Sequence, residues 1–245
     1  MAVLELYQLA ISHYCEKVRW ALDYKQVEWR ARNLLPGLHL KTAKRLTGQT
    51  SLPILVHDGR AIHDSSRILD HLDAHFRDPP LTPFEGALRE EVLEWERFAD
   101  ADIGIDVRRI CYHELLQYPD RVIPLMCQGG PWYGRLLLRG IFPQLQARMR
   151  RYMKINAAET LRSRDRLGQA IARVEAALEG RSYLVRDHFS RADLAVAALL
   201  APLAMPPGYG VPWPAELPPA LAADVARYGT VLGWVRSIYD RHRSR

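Results

Sequence analysis

The apolar pattern of this chain changes at Asp78-Pro79-Pro80, and that change limits the folds open to it. Before it, short apolar runs alternate between strand-like and helix-like spacing; after it, only helical periodicity remains. Adjacent prolines continue neither element, so the tripeptide reads as a linker between two units. The 245 residues suffice for one or two domains at roughly 150 residues each, with a sizeable core. With 48% hydrophobic and 25% charged residues, the composition excludes a disordered chain, a collagen-like fibre and a small disulfide scaffold.

In the first unit, residues 3–9 (VLELYQL) suit a strand. Ser12 is placed to cap a helix whose apolar residues are Val18, Trp20, Ala21 and Leu22. Val27 to Asn33 alternate as a second strand, and His39 to Leu46 form a short helix stopped by Gly48. Residues 53–56 and 61–63 flank Asp58-Gly59, a strong hairpin signal. Asp64 or Ser65 caps the next helix, which buries Ile68, Leu69, Leu72 and Phe76. The order is β-α-β-α-β-β-α.

In the second unit, Phe84 to Tyr118 carries one apolar stripe (Leu88, Val92, Trp95, Ala99, Ile103, Val107, Ile110), with Gly104 as a bend. Residues 119–154 are interrupted by Pro124, Gly129-Gly130-Pro131, Gly140 and Pro143, which predicts short helices. Asn156 to Leu178 forms a helix, with capping-box spacing between Asn156 and Glu159 and a stop at Gly180. Ser190-Arg191-Ala192-Asp193 is a second such start, with Phe189 and Leu194 placed as a hydrophobic staple. The LAVAALLAPL run that follows predicts a helix buried on all sides. Residues 206–219 hold six prolines and read as an extended, surface-wrapping segment; a last helix is expected over 221–239, then a basic tail.

The formal charge is 34 − 28 = +6, too weak to single out nucleic acid as a partner. Nine basic residues (Arg135, Arg139, Arg148, Arg150, Arg151, Lys154, Arg162, Arg164, Arg166) face only Glu159 and Asp165 in 135–166. Aromatic residues are sparse there, so the stretch reads as a solvated helix face with some electrostatic pull on an anionic substrate, not a nucleic-acid groove. Cys15, Cys111 and Cys127 are odd in number, widely spaced and without a CxxC pair, which favours a reducing cytoplasm over a disulfide framework. No basic n-region precedes the first apolar stretch, Glu5 interrupts it, and no long uncharged run suits a membrane span. His57, His63, His71 and His75 lack a clear ligand pattern, so no metal site is expected; His71 and His75 alone share a helix face.

Two local features carry chemistry. The first is Ser12-His13-Tyr14-Cys15-Glu16-Lys17, where a strand feeds a helix N-terminus. Free backbone N–H groups and the positive dipole end stabilise an anion there, including a thiolate. Ser12 either only caps the helix or donates to a bound thiolate; Cys15 either faces the core or is itself activated. The second is Thr50-Ser51-Leu52-Pro53-Ile54 with Asp64-Ser65 beyond it. A cis Leu52–Pro53 bond would turn the Leu52 N–H and C=O outward to pair with an extended peptide. Asp64 and Ser65 either cap a helix or receive an ammonium and a carboxylate.

Together these segments resemble the cytosolic glutathione transferase superfamily. Ser12 to Lys17 is similar to the glutaredoxin-type Cys-Pro-Tyr-Cys-x-Lys site, with serine for the first cysteine, as in tau- and zeta-like members, where omega-like members keep cysteine. Leu52-Pro53 resembles the cis-proline element, Asp64-Ser65 the acidic-Ser pair for the γ-glutamyl group, and Phe189 to Leu194 the capping motif of the helical domain. The resemblance implies an α/β thioredoxin-like N-terminal domain (1–78) that binds glutathione plus an all-α C-terminal domain (84–245) that walls a hydrophobic co-substrate pocket. It implies a cytoplasmic, homodimeric detoxification enzyme conjugating glutathione to an apolar electrophile, with no nucleic-acid or membrane partner. Ser12 takes the catalytic position. Leu52 and Pro53 meet the cysteinyl backbone, Asp64 and Ser65 the γ-glutamyl end, and His39, with Lys41 as its rival, the glycine carboxylate. Tyr7 and Tyr14 compete as hydroxyl donors, while Tyr14, Tyr112, Trp95 and Trp213 are candidates for the pocket wall. His13 replaces the usual proline, and Cys15 leaves open a glutathione-dependent reductase or lyase; a non-catalytic ligand-binding protein of this fold is the third reading.

Overall fold

The computed structural model describes residues 4–84 and 86–243. Val3, Glu85 and the last two residues of the basic tail lie outside them. Strand β1 (Leu4–Gln8) leads into α1 (His13–Tyr24), then β2 (Trp29–Asn33) and α2 (His39–Thr47). The hairpin β3 (Ile54–His57) and β4 (Arg60–His63) follows, then α3 (Ser65–His75). The sheet order is β2-β1-β3-β4, with β1 parallel to β2 and antiparallel to β3. This is the thioredoxin-like arrangement that the resemblance implies. Asp58 and Gly59 both take positive φ, 50° and 77°, which is the hairpin turn that Asp-Gly favours.

Beyond Pro80 every described element is a helix. Helix α4 (Gly86–Phe98) passes through a π-helical turn (Ala99–Gly104) into α5 (Ile105–Leu115). Gly104 serves close approach here: a Cβ on it would run into the Tyr14 hydroxyl. Helices α6 (Pro119–Met126), α7 (Gly134–Tyr152), α8 (Ala157–Ala177), α9 (Arg191–Ala204), α10 (Pro219–Arg227) and α11 (Gly229–His242) complete the chain. The short helices expected over 119–154 are instead α6 and one 19-residue helix, α7. Pro143 lacks one donor, but Leu138, Phe142, Leu145 and Met149 bury a continuous face that holds α7 together. The single terminal helix expected over 221–239 is instead two, α10 and α11, broken at Tyr228. Only the Asn156 half of the first capping box forms: its Oδ1 accepts from the Glu159 N–H, while the Glu159 carboxylate turns to Arg162. The Ser190–Asp193 box forms fully.

Helix α1 is packed against α3 of the first unit and α9 of the second. That explains why its charged residues Glu16, Lys17 and Arg19 are buried together with Val18, Trp20, Ala21 and Leu22. Buried charges require partners. Lys17 Nζ lies 2.7 Å from Glu96 and 2.8 Å from Asp100, and Arg191 meets Glu96 from the other side at 2.7 Å. Burial opposes ionisation of Glu96, but these two cations hold its carboxyl below the ordinary value. Glu16 pairs with Arg19 at 2.7 Å and with Arg243 at 2.8 Å. The apolar face of α1 joins the same join: Trp20 stacks on Phe189, at 5.7 Å between centroids, and donates Nε1–H to the His242 carbonyl.

Removing one member of such a buried pair strands the other. Lys17→Met is expected to cost about 3 kcal/mol or more in urea unfolding. Lys17→Met with Asp100→Asn should recover part of that loss, because Asp100 has no other cation among the described residues while Glu96 keeps Arg191.

Candidate active site

The loop from β1 to α1 delivers Ser12 as the helix cap. Its backbone is extended, and Oγ accepts from the Cys15 N–H at 3.4 Å, a long bond. Among the described residues the Ser12 hydroxyl donates to no side-chain or backbone acceptor, so its proton is uncommitted. Ser12 and His13 border a cavity of about 1200 Å³. Its remaining walls come from the α2 start (Gly37 to Leu40), the loop 50–52, α5 (Arg108, Cys111, Tyr112) and one face of α7, with Trp213 and Tyr209 from the proline-rich segment. Gln146 Nε2 donates to the Leu116 carbonyl at 2.6 Å and ties α7 to the end of α5.

The anticipated site residues separate into those at this cavity and those beside it. Ser12, His39, Leu52 and Tyr112 line it, as does Trp213. The Leu52–Pro53 bond is cis, and Pro53 is buried beneath Leu52 in the loop. Among the described residues neither main-chain group of Leu52 makes a backbone hydrogen bond. His39 Nδ1 accepts from the Gly37 N–H at 3.2 Å, and burial lowers the imidazole pKa, so the ring is neutral and carries its proton on Nε2. Lys41 is exposed and outside the wall. Asp64 caps α3 with φ 74°: one carboxylate oxygen, Oδ1, accepts both the Ser66 and Arg67 N–H groups. Oδ2 takes part in neither bond, and Ser65 follows as the first, buried residue of the helix.

Three of the candidates lie outside the cavity wall. Cys15 is fully buried and outside the cavity wall, and desolvation pushes its thiol pKa up, the opposite of activation. Tyr14 turns away from the cavity: its hydroxyl donates to the Asp100 carbonyl at 2.8 Å, and burial pushes its pKa well above the ordinary value. Trp95 packs edge-on against Phe98 in the helical core and lines no part of the cavity. Tyr7 is half-buried and donates to Glu5 at 3.4 Å. His57 and His71 are bonded to each other, Nδ1 to Nε2 at 2.8 Å, which occupies those ring nitrogens.

Local sequence gave no sign of two features. Lys17, Ser66 and Asp100 form a buried cluster directly behind the Ser12 loop, joined by bonds of 2.8 to 3.1 Å. Tyr209 reaches back from the proline-rich segment and donates to the Ile11 carbonyl at 2.7 Å, fixing the backbone just before Ser12. Each of these bonds spans more than thirty positions of sequence.

Comparisons with known proteins show the family. The model for the glutathione S-transferase N-terminal domain matches residues 6–80, and that for the C-terminal domain matches residues 138–223. The glutathione S-transferase TCHQD of Arabidopsis thaliana is 26% identical over 215 residues, 82% of this chain and 77% of that protein. The glutathione S-transferase U7 of the same plant is 32% identical over 59 residues, so the match spans 24% of this chain and about a quarter of that protein's length. Among solved structures, a glutathione S-transferase from Methylobacterium radiotolerans in complex with glutathione sulfonate superposes with a TM-score of 0.60 at 22% identity, covering 92% of this chain and 89% of that one. This chain belongs to the glutathione transferase superfamily, whose co-substrate is glutathione.

His13 supplies a pH signature of the site. Its Nε2 donates to the Gly104 carbonyl at 3.0 Å, and burial, assisted by nearby Arg108, lowers its pKa to about 3. The unfolded chain therefore binds a proton at His13 between about pH 6.5 and 3 that the folded chain does not, so stability falls as pH drops through that window. His13→Gln is expected to flatten the dependence of unfolding free energy on pH by up to about 1.4 kcal/mol per pH unit there, measured by urea melts at stepped pH.

Proposed function

We propose that this chain is a glutathione transferase that conjugates glutathione to an electrophilic small molecule with an apolar body, and that Ser12 is its catalytic hydroxyl. The observation that carries this reading is an uncommitted hydroxyl at a helix N-terminus, opening onto a large, mostly apolar cavity. The Leu52 main chain is free to pair with the cysteinyl backbone of glutathione. Asp64 Oδ2 suits the γ-glutamyl ammonium, the Ser65 end of α3 its carboxylate, and His39 Nε2–H with the start of α2 the glycine carboxylate. Ser12 Oγ–H donates to the sulfur as the thiol gives its proton to solvent. The α1 dipole adds to this, and the thiolate then attacks the electrophile. On this reading residues 1–78 bind glutathione and residues 84–245 wall the co-substrate pocket.

The same reading makes the protein a cytoplasmic homodimer. Its three cysteines are free and buried, and no described helix is long and apolar enough to cross a membrane.

Ser12→Ala is expected to lower kcat/KM for conjugation by about tenfold to a hundredfold, the worth of one hydrogen bond to a charged atom. Glutathione binding, followed by calorimetry, should change little. Ser12→Thr keeps both hydroxyl and cap and should retain most activity; equal rates for wild type and Ser12→Ala would sink the assignment.

A reaction routed through Cys15 makes the opposite forecast. Iodoacetamide at pH 8 should leave Cys15 unmodified in the folded chain and label it after denaturation, as read by mass spectrometry. Rapid labelling of Cys15 in the folded chain with loss of activity would favour the reductase or lyase reading.

A further inference from the structure

The cavity wall is one-sided in charge. Arg108 from α5 and Arg148 and Arg151 from α7 border it, while no aspartate or glutamate does among the described residues. Its two histidines add no charge, because burial lowers the pKa of both His13 and His39. Three neighbouring arginines of α5 and α8 are paired: Arg109 and Arg166 with Asp106, Arg164 with Glu114 and Asp224. No such carboxylate partner is found for Arg108, Arg148 or Arg151 among the described residues.

Position separates the three further. Arg108 is half-buried, close enough to His13 and Tyr112 to act on both electrostatically. Arg148 and Arg151 are exposed, on the helix face that also presents Leu145 and Met149 to the cavity. The interior is therefore apolar, and its rim is cationic. Low-dielectric walls focus such a field toward the opening. A wholly apolar co-substrate would leave three guanidinium groups facing it with no partner. A molecule with an apolar body and one anionic group would satisfy both parts of the wall, since the guanidinium fork matches carboxylate, sulfonate and phosphate oxygens.

We infer that the co-substrate is an organic anion: an aromatic electrophile carrying a carboxylate, sulfonate or phosphate that Arg108, Arg148 and Arg151 receive at the cavity rim. This deepens the transferase reading and rests on it for the chemistry, though not for the binding. With 4-chloro-3-nitrobenzoate as the example, the glutathione thiolate bonds to the chlorine-bearing ring carbon. Chloride then leaves with the electron pair of the broken C–Cl bond, the thiol proton having passed to solvent.

Two measurements on wild type and the Arg148→Gln/Arg151→Gln variant test this. Both changes are at exposed positions, and thermal melts check that the variant is folded. The first is fluorescence titration without glutathione, using 8-anilinonaphthalene-1-sulfonate and its neutral counterpart N-phenyl-1-naphthylamine. The sulfonate should bind the variant about tenfold more weakly, and the neutral probe should change less than about twofold. The wild-type preference for the sulfonate should shrink between about 0.01 M and about 0.15 M salt. The second is kinetics with 4-chloro-3-nitrobenzoate against its methyl ester. The variant should lose about tenfold in kcat/KM for the acid relative to the ester, with the KM for glutathione unchanged.

Equal loss for charged and neutral probes, or no wild-type preference for the anion, overturns the inference. A raised KM for glutathione with unaltered acid-to-ester selectivity also overturns it, because the arginines would then serve the peptide's carboxylate. If wild type conjugates neither electrophile yet keeps an arginine-dependent sulfonate preference, the anion subsite stands and the transferase reading falls. Conjugation of both without preference gives the reverse.

Discussion

The burial of α1 between α3 and α9 is the constraint on which the rest of this structure depends. A helix that buries a glutamate, a lysine and an arginine within about one turn needs a partner for each charge. Glu96 and Asp100 answer Lys17, and Arg243 answers Glu16, so the cations and anions across this join select one docking of the helical unit on the thioredoxin-like unit. Apolar contact alone tolerates sliding; paired charges with fixed positions do not. Because Ser12 is the cap of α1, whatever orients α1 also orients the candidate catalytic hydroxyl.

That docking also explains the shape of the cavity. Tyr14 and Gly104 meet closely where α1 crosses the π-helical turn, which closes one side of the Ser12 loop. The Tyr209 hydroxyl holds the Ile11 carbonyl from a second side. The space that remains beside Ser12 is the cavity bordered by the start of α2, the 50–52 loop, α5, α7 and the proline-rich segment. The π-helical turn has a structural task in this arrangement: it carries Asp100, whose side chain receives Lys17 and Ser66 while its carbonyl receives Tyr14.

Local rules were enough for much of this fold. The Asp58-Gly59 hairpin, the Gly48 stop, the Ser12 and Asp64 caps and the Ser190 box depend on residues within a few positions of one another, so their chemistry is visible in the chain itself. Helix α7 and the break at Tyr228 were not legible for a shared reason. Pro143 weakens a helix locally, but the buried face of α7 outweighs it; at the Tyr228 break the adjoining Gly229 is a signal that a helix interior can tolerate, and Asp224 beside it is drawn to Arg164 from α8. At the site, Ser12, Leu52 and His39 could be located by order along the chain because each sits at the end of an element. Whether Cys15 and Tyr14 faced the cavity depended on helix rotation, which is set by contacts with α9 and the π-helical turn, far away in sequence. The cationic rim shows both sides of this: Arg148 and Arg151 stood out as part of a basic stretch, but that they share a wall with Arg108 follows only from the packing of α5 beside α7.

The electrostatics of the cavity come from groups that do not titrate near neutrality. A site built on protonated histidines would lose its charge above about pH 6.5, and one built on a buried thiolate would need an activated cysteine. Here burial keeps His13 and His39 neutral and holds the Cys15 thiol protonated. The positive potential then rests on the α1 N-terminus and on guanidinium groups, which stay charged throughout the accessible range. A hydroxyl donor at that N-terminus can stabilise a thiolate without changing its own protonation state. On the proposed transferase reading, the pH dependence of conjugation follows the ionisation of the bound thiol and not of any protein side chain in the cavity, while the loss of activity at low pH tracks the acid instability that His13 brings to the fold.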